Sequence, residues 1–171
     1  MGCDPHLPTA LQQIYAAKGR SASKAIPVLI SRADQLESLV SGLPEQSTRL
    51  MERWWPGALT LVLPKNPDLP PDLTPYPGLA VRMPDHPVAL SLLDQTGPLA
   101  VTSANLSDHE NPQDAQGVLA QLDGVVDLIM DGGCLLGGQA STIIDCMASE
   151  PKLLREGPIP FSAILERWYA A

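Results

Sequence analysis

Three observations predict an α/β domain built as an open, twisted mixed sheet with flanking helices. Short runs rich in Val, Leu and Ile alternate with segments whose apolar residues recur at helical spacing. The late runs "DLIM", "STIID" and "KLLRE" follow one another with no helix between them, so the sheet contains antiparallel neighbours as well as parallel ones. The chain has 171 residues, 44% of them hydrophobic, enough for one core and too few for two, so residues 1–171 read as a single domain.

Each element has its own signal. In "LPTALQQIYAAKGR" the spacing of Thr9 and Gln12 suits a capping box, Leu11, Ile14 and Tyr15 share one helical face, and Gly19 supplies a stop. "AIPVLI" reads as a buried strand. Ser31 with Asp34 opens a short helix over "SRADQLESLV", and Pro44 opens another over "PEQSTRLMERWW", closed by Pro56 and Gly57. "ALTLVL" is the next strand. From Pro64 to Gly78, six prolines in fifteen residues exclude helix and inner strand and leave a stiff surface excursion. Leu69, Leu73 and Tyr76 make it too apolar for a free linker. Strand "LAVRM", helix "PVALSLLDQ" started by His86, strand "PLAVT" and helix "PQDAQGVLAQL" follow. The three late strands and an amphipathic helix, "FSAILERWYA", complete the chain.

Composition excludes several functions. With 11 Lys plus Arg against 19 Asp plus Glu, the formal charge of -8 has the wrong sign for gripping nucleic acid by its phosphates. Weak or no direct nucleic-acid binding is expected. No apolar run approaches the roughly 18 residues that span a bilayer, and the N-terminus lacks a signal-peptide pattern, so a cytoplasmic protein without membrane attachment is expected. Gly2 lacks the Ser or Thr at position six that myristoylation needs, since His6 stands there. Cys3, Cys134 and Cys146 are odd in number and widely spaced, which suits reduced thiols. "DLIMDGGCLLGGQAST" lacks the lysine of a Walker site, no GxSxG elbow surrounds Ser103 or Ser141, and His6, His86 and His109 show no metal or triad spacing. No protein-bound metal site is expected.

The cations are placed more tellingly. Lys18, Arg20 and Lys24 cluster where the first helix ends, and dipole compensation explains only Lys18. Arg82 interrupts the apolar strand "LAVRM", either on a solvated face or aimed into a polar site, and Arg155 ends "KLLRE" in the same way. In "GPLAVTSANLS" an apolar strand runs into Thr102, Ser103, Asn105 and Ser107. In open α/β sheets ligands bind beyond the carboxyl ends of strands, where loops present polar groups without burying them unpaired. Lys18, Arg20 and Arg155 are the partners expected for this polar tail.

The ordered stretches "KGR", "WWPGALTLVL", "LAVRMPDHP", "AVTSANLS", "STIID" and "LLREG" resemble the YrdC family of L-threonylcarbamoyladenylate synthases, over essentially the whole chain. Lys18 with Arg20 matches the family's KxR signature and Ser103 with Asn105 its SxN signature. The resemblance implies a nucleotidyltransferase that condenses ATP, L-threonine and bicarbonate to threonylcarbamoyl-AMP, with release of pyrophosphate, for the t6A modification of tRNA. By the same resemblance Lys18, Arg20, Ser103 and Asn105 are catalytic. Arg20, Lys24, Gly78, Ser103, Asn105 and Arg155 contact ATP, and Arg82, Val101 and Ser141 hold threonine. ATP serves as a substrate and brings Mg²⁺; proteins of tRNA modification are the implied partners. Family members begin with a strand and a Pro-Thr-(Asp or Glu)-Thr-x-Tyr-Gly-Leu motif just before the stretch that "GCDP" resembles, so the domain reads as N-terminally short, with a sheet edge left exposed to self-association. The rival reading is a noncatalytic relative that binds nucleotide or RNA. Carbamoyl transfer as in hydrogenase-maturation proteins belongs to much longer chains.

Overall fold

The computed structural model describes residues 1–19, 25–135 and 138–170. Strands β1 (Gly2–Cys3), β2 (Val28–Leu29), β3 (Leu59–Pro64), β4 (Gly78–Arg82), β5 (Leu99–Val101), β6 (Thr142–Asp145) and β7 (Lys152–Arg155) form one sheet in the order β1-β5-β2-β4-β3-β6-β7. The pairs β2–β4 and β3–β6 are parallel and the others antiparallel, so the sheet is mixed, as expected. Helices α1 (Pro8–Lys18), α2 (Glu45–Trp54), α3 (Pro87–Thr96), α4 (Ala115–Leu122) and α5 (Phe161–Trp168) complete the α/β domain. None of the described helices is long and apolar enough to cross a membrane.

Alternation along the strands separates two faces. Leu59, Leu61, Leu63, Leu79, Val81 and Ile144 are fully buried on one of them. That face packs against Leu11 and Ile14 of α1, Leu50 and Met51 of α2, and Ile164 and Trp168 of α5. Each buried side chain of this size is worth about 1.5–3 kcal/mol, so the core lies on this side. On the other face Leu29, Leu99, Val101, Ala80, Val62 and Ile143 are only half-buried.

Several expectations are corrected. "DLIM" is not a strand: Leu128 is 75% and Met130 51% exposed, because without a neighbouring ladder an apolar run cannot pair its backbone groups. The first helix starts at Pro8 with Leu7 as its N-cap and no side-chain cap, and Gln12 instead donates to Asp72 Oδ2 at 3.1 Å. The Ser31–Asp34 signal gives a 3-10 turn, Ala33–Ser38, in which Gln35 Oε1 accepts from the Ser31 N–H at 2.8 Å and the Arg32 N–H at 3.3 Å. The proline-rich excursion is pinned by buried Leu69 and Leu73, but Tyr76 is exposed. His86 is the N-cap of α3, as expected.

Candidate functional site

The end of α1 builds the first part of the site. Gly19 takes the left-handed conformation, φ 60°, that lets the helix stop with its N–H turned back onto Ala16 O and Tyr15 O. Lys18, in the last turn, is buried against the loop after β5. Its Nζ donates to Ser103 O at 2.8 Å, Ser103 Oγ at 3.2 Å, Asn105 O at 2.8 Å and Asn105 Oδ1 at 3.0 Å. Asn105 is buried and Ser103 exposed, so the loop offers one anchored and one accessible side chain. The loop is fixed from behind: Ser107 N–H donates to Lys18 O at 3.1 Å and Asn105 Nδ2 to His109 O at 2.7 Å. Gln121 of α4 accepts the Leu106 N–H at 3.0 Å and donates to Glu110 O at 3.2 Å. Sequence reasoning thus brought Lys18, Ser103 and Asn105 together correctly. Arg20 and Lys24 lie outside the described residues.

Arg155 is not at this loop. Because β5 runs antiparallel to β2 and β7 antiparallel to β6, the C-terminal ends of β5 and β7 lie at opposite edges of the sheet. Arg155 Nε donates to Ser141 O at 2.9 Å and Nη2 to Ser141 Oγ at 3.1 Å. Ser141 and Thr60, both buried, share a 2.8 Å hydroxyl bond. Register extends this group: Leu61 pairs with Val81, which brings Thr60 level with Arg82, while Thr60 pairs with Ile143 and Ile143 with Arg155. Arg82, Thr60, Ile143 and Arg155 therefore form one row across the half-buried face. Arg82 Nε is held by Gly57 O at 2.8 Å. Among the described residues neither Arg82 nor Arg155 forms an ion pair with a carboxylate. Burial, and after it the Arg155 guanidinium, pulls the Arg82 pKa below its ordinary value. Cations unpaired among the described residues are an arrangement that an anion would complete.

Val101 and Gly78 connect the two groups. Val101, whose N–H donates to Pro27 O at 2.8 Å, lies on the same face, and Gly78 opens β4 at the opposite end from Arg82. A Cβ on Gly78 would stand 2.5 Å from Val62 Cγ1, so any larger residue there would have to displace the Val62 side chain. From Gly78 to Arg82 the strand spans about 13 Å at the usual rise, so the face offers a floor with polar groups at both ends.

Sequence reasoning missed three supports. Thr60 stands in "ALTLVL" as a polar interruption of an apolar strand, the same signal that singled out Arg82. Thr142, fully buried, accepts from the N–H groups of Gly157 and Ile159 at 3.0 and 3.1 Å and donates to Ile159 O at 2.8 Å, tying the Ser141 segment to the end of the domain. Gly157 lies so close to that segment that a Cβ would fall on Ala140 O and Thr142 N. Neither of these last two has a local sequence signal.

Comparison with known proteins agrees with this architecture. The Sua5/YciO/YrdC family profile, described as "Telomere recombination", matches residues 1–157. The threonylcarbamoyl-AMP synthase of Bacillus subtilis (strain 168) is 44% identical over 162 residues, which cover 93% of this chain and 47% of that protein. A putative threonylcarbamoyl-AMP synthase of Mycobacterium tuberculosis (strain H37Rv) is 38% identical over 167 residues, 97% of this chain and 77% of that one. The crystal structure of P. abyssi Sua5 complexed with L-threonine superposes with a TM-score of 0.89 at 38% identity, covering 98% of this chain and 50% of the other. The chain thus spans about half the length of the B. subtilis and P. abyssi relatives. It belongs to the Sua5/YciO/YrdC family.

Proposed function

We propose that this chain is a threonylcarbamoyl-AMP synthase domain, acting on L-threonine, bicarbonate and ATP in the cytoplasm to supply t6A modification of tRNA. The observation that carries the reading is the row of Arg82, Thr60 and Arg155, cationic and without carboxylates, joined along one sheet face to the Lys18–Ser103–Asn105 junction. The names of the curated relatives support it.

The amine of threonine takes up bicarbonate with loss of water, forming a carbamate. A carbamate oxygen then bonds to the α-phosphorus of ATP while the bond to the β-phosphate oxygen breaks and pyrophosphate leaves. Such a displacement needs in-line positioning and charge neutralisation rather than an enzyme nucleophile. Arg82, Ser141 and the main chain at Val101 hold threonine in this reading. Arg20, Lys24, Gly78, Ser103, Asn105 and Arg155 hold ATP, with Lys18, Arg20, Ser103 and Asn105 setting the geometry of transfer. Arg155, bonded to Ser141, borders both substrates. Mg²⁺ arrives in this reading on the triphosphate itself. When bound, that ion neutralises phosphate charge. The net charge of -8 favours transfer through proteins of tRNA modification over a direct grip on tRNA.

The test is incubation of the protein with ATP, L-threonine and bicarbonate, followed by mass detection of threonylcarbamoyl-AMP, beside filter binding of tRNA across a salt series. Product without tRNA retention is the expected result. Retention of tRNA without product would replace this reading with a noncatalytic binder.

A further inference from the structure

The Thr60–Ser141 pair holds one hydroxyl proton more than its own bond uses. Thr60 is 5% and Ser141 4% exposed, and their hydroxyl oxygens stand 2.8 Å apart. The two hydroxyls carry one proton each, and their mutual bond uses one. Arg155 Nη2 fills one lone pair of Ser141 Oγ at 3.1 Å, so it adds a donor and takes no proton away. Among the described residues no acceptor meets the second hydroxyl proton. Buried polar groups are rarely left so, and the partner of such an orphan is supplied by water or by a ligand that displaces it.

Its neighbours narrow the ligand. The row is rich in donors: the terminal nitrogens of Arg82 have no partner among the described residues, Arg155 adds a second guanidinium, and the orphan hydroxyl lies in the row between them. Adjacent strands are about 4.8 Å apart, so Thr60 sits one strand from Arg82 and two from Arg155. An acceptor-only, planar anion suits this set, and a carboxylate has that chemistry.

We infer that Thr60 is a positioning residue of the amino-acid site. By holding Ser141 Oγ it aims the one remaining hydroxyl proton of the pair at the carboxylate of the bound α-amino acid, between Arg82 and Arg155. The inference rests on the synthase reading given above and adds a residue to it.

The test compares Thr60→Val, which removes the hydroxyl at nearly constant shape, with Thr60→Ser, which keeps it. L-threonine and ATP binding are measured by calorimetry on the whole chain, alongside product formation and the thermal midpoint. Thr60→Val is expected to bind L-threonine about tenfold more weakly with ATP affinity kept within about twofold, and Thr60→Ser to restore wild-type threonine binding. Unchanged threonine affinity in folded Thr60→Val, an equal loss for both ligands, or failure of Thr60→Ser to restore binding overturns the inference. If Thr60→Val does not fold, Thr60→Cys, with a weak hydrogen-bonding group of similar size, must show the same selective loss; its absence there is equally fatal. Wild-type protein that makes no product and binds no L-threonine sinks the synthase reading itself. Wild-type synthesis beside normal threonine binding in Thr60→Val sinks only the role of Thr60.

Discussion

The Lys18 junction and the Arg82–Arg155 row are both cationic, yet the fold treats them in opposite ways. Lys18 is buried, and its three ammonium protons are shared among four neutral oxygens of one loop, which hold α1 to the end of β5. Arg82 and Arg155 are each tied by a guanidinium nitrogen to a main-chain carbonyl, but they keep like charges near one another and neither forms an ion pair among the described residues. Folding is served by the first arrangement and strained electrostatically by the second. A cation engaged by several oxygens of one loop and a cation with terminal nitrogens to spare are therefore told apart by their partners.

Three substitutions put that contrast at risk. The largest effect is expected at Lys18→Ala, which leaves the carbonyls of Ser103 and Asn105 without their donor. Threonylcarbamoyl-AMP should fall below detection, and urea unfolding should show a loss of about 3 kcal/mol. Full activity in this variant would remove the junction from the site. Next comes Arg82→Met: product formation should drop about a hundredfold, as expected when a charged partner of a bound anion is truncated. The unfolding free energy should stay within about 0.5 kcal/mol of wild type, since repulsion from Arg155 is relieved. A stability loss as large as that of Lys18→Ala would show Arg82 to be a structural cation too, and the contrast would fail. The smallest effect on activity is expected for Gly157→Ala, whose new Cβ must push against Ala140 O and Thr142 N. Overpacking there should cost about 2 kcal/mol and raise the threonine KM about fivefold while the ATP KM holds, because Ser141 moves and the Lys18 junction does not. An equal rise in both KM values would mean that the two ends of the sheet are not independent.

The two cationic groups differ as well in how far the amino-acid order reveals them. Lys18, Ser103 and Asn105 are legible because each sits in a short motif at the end of a regular element, where helix stops and strand ends are signalled locally. Arg82 is visible as a charged residue in an apolar strand, but only the register, which sets it level with Thr60, decides between its two readings. Thr60 carries the same kind of signal more faintly, since a threonine in a strand usually reflects nothing beyond β-propensity. Thr142 and Gly157 act through hydrogen bonds and close approach between segments separated in sequence, which no local pattern encodes. The apolar run "DLIM" shows the opposite failure, a local pattern with no partner to make it a strand.

The alternation of strands and helices, the buried face of each element and the motifs that define the family all follow from residue order, because periodicity, proline and glycine placement act within a few residues. Which strand ends share an edge follows only from the folded arrangement. With β5 antiparallel to β2, and β7 antiparallel to β6, Arg155 is carried away from the Ser103 loop and placed beside Ser141. Strand direction is settled by pairing between distant segments, and so the division of the cations between the Lys18 junction and the Arg82–Arg155 row exists only in three dimensions.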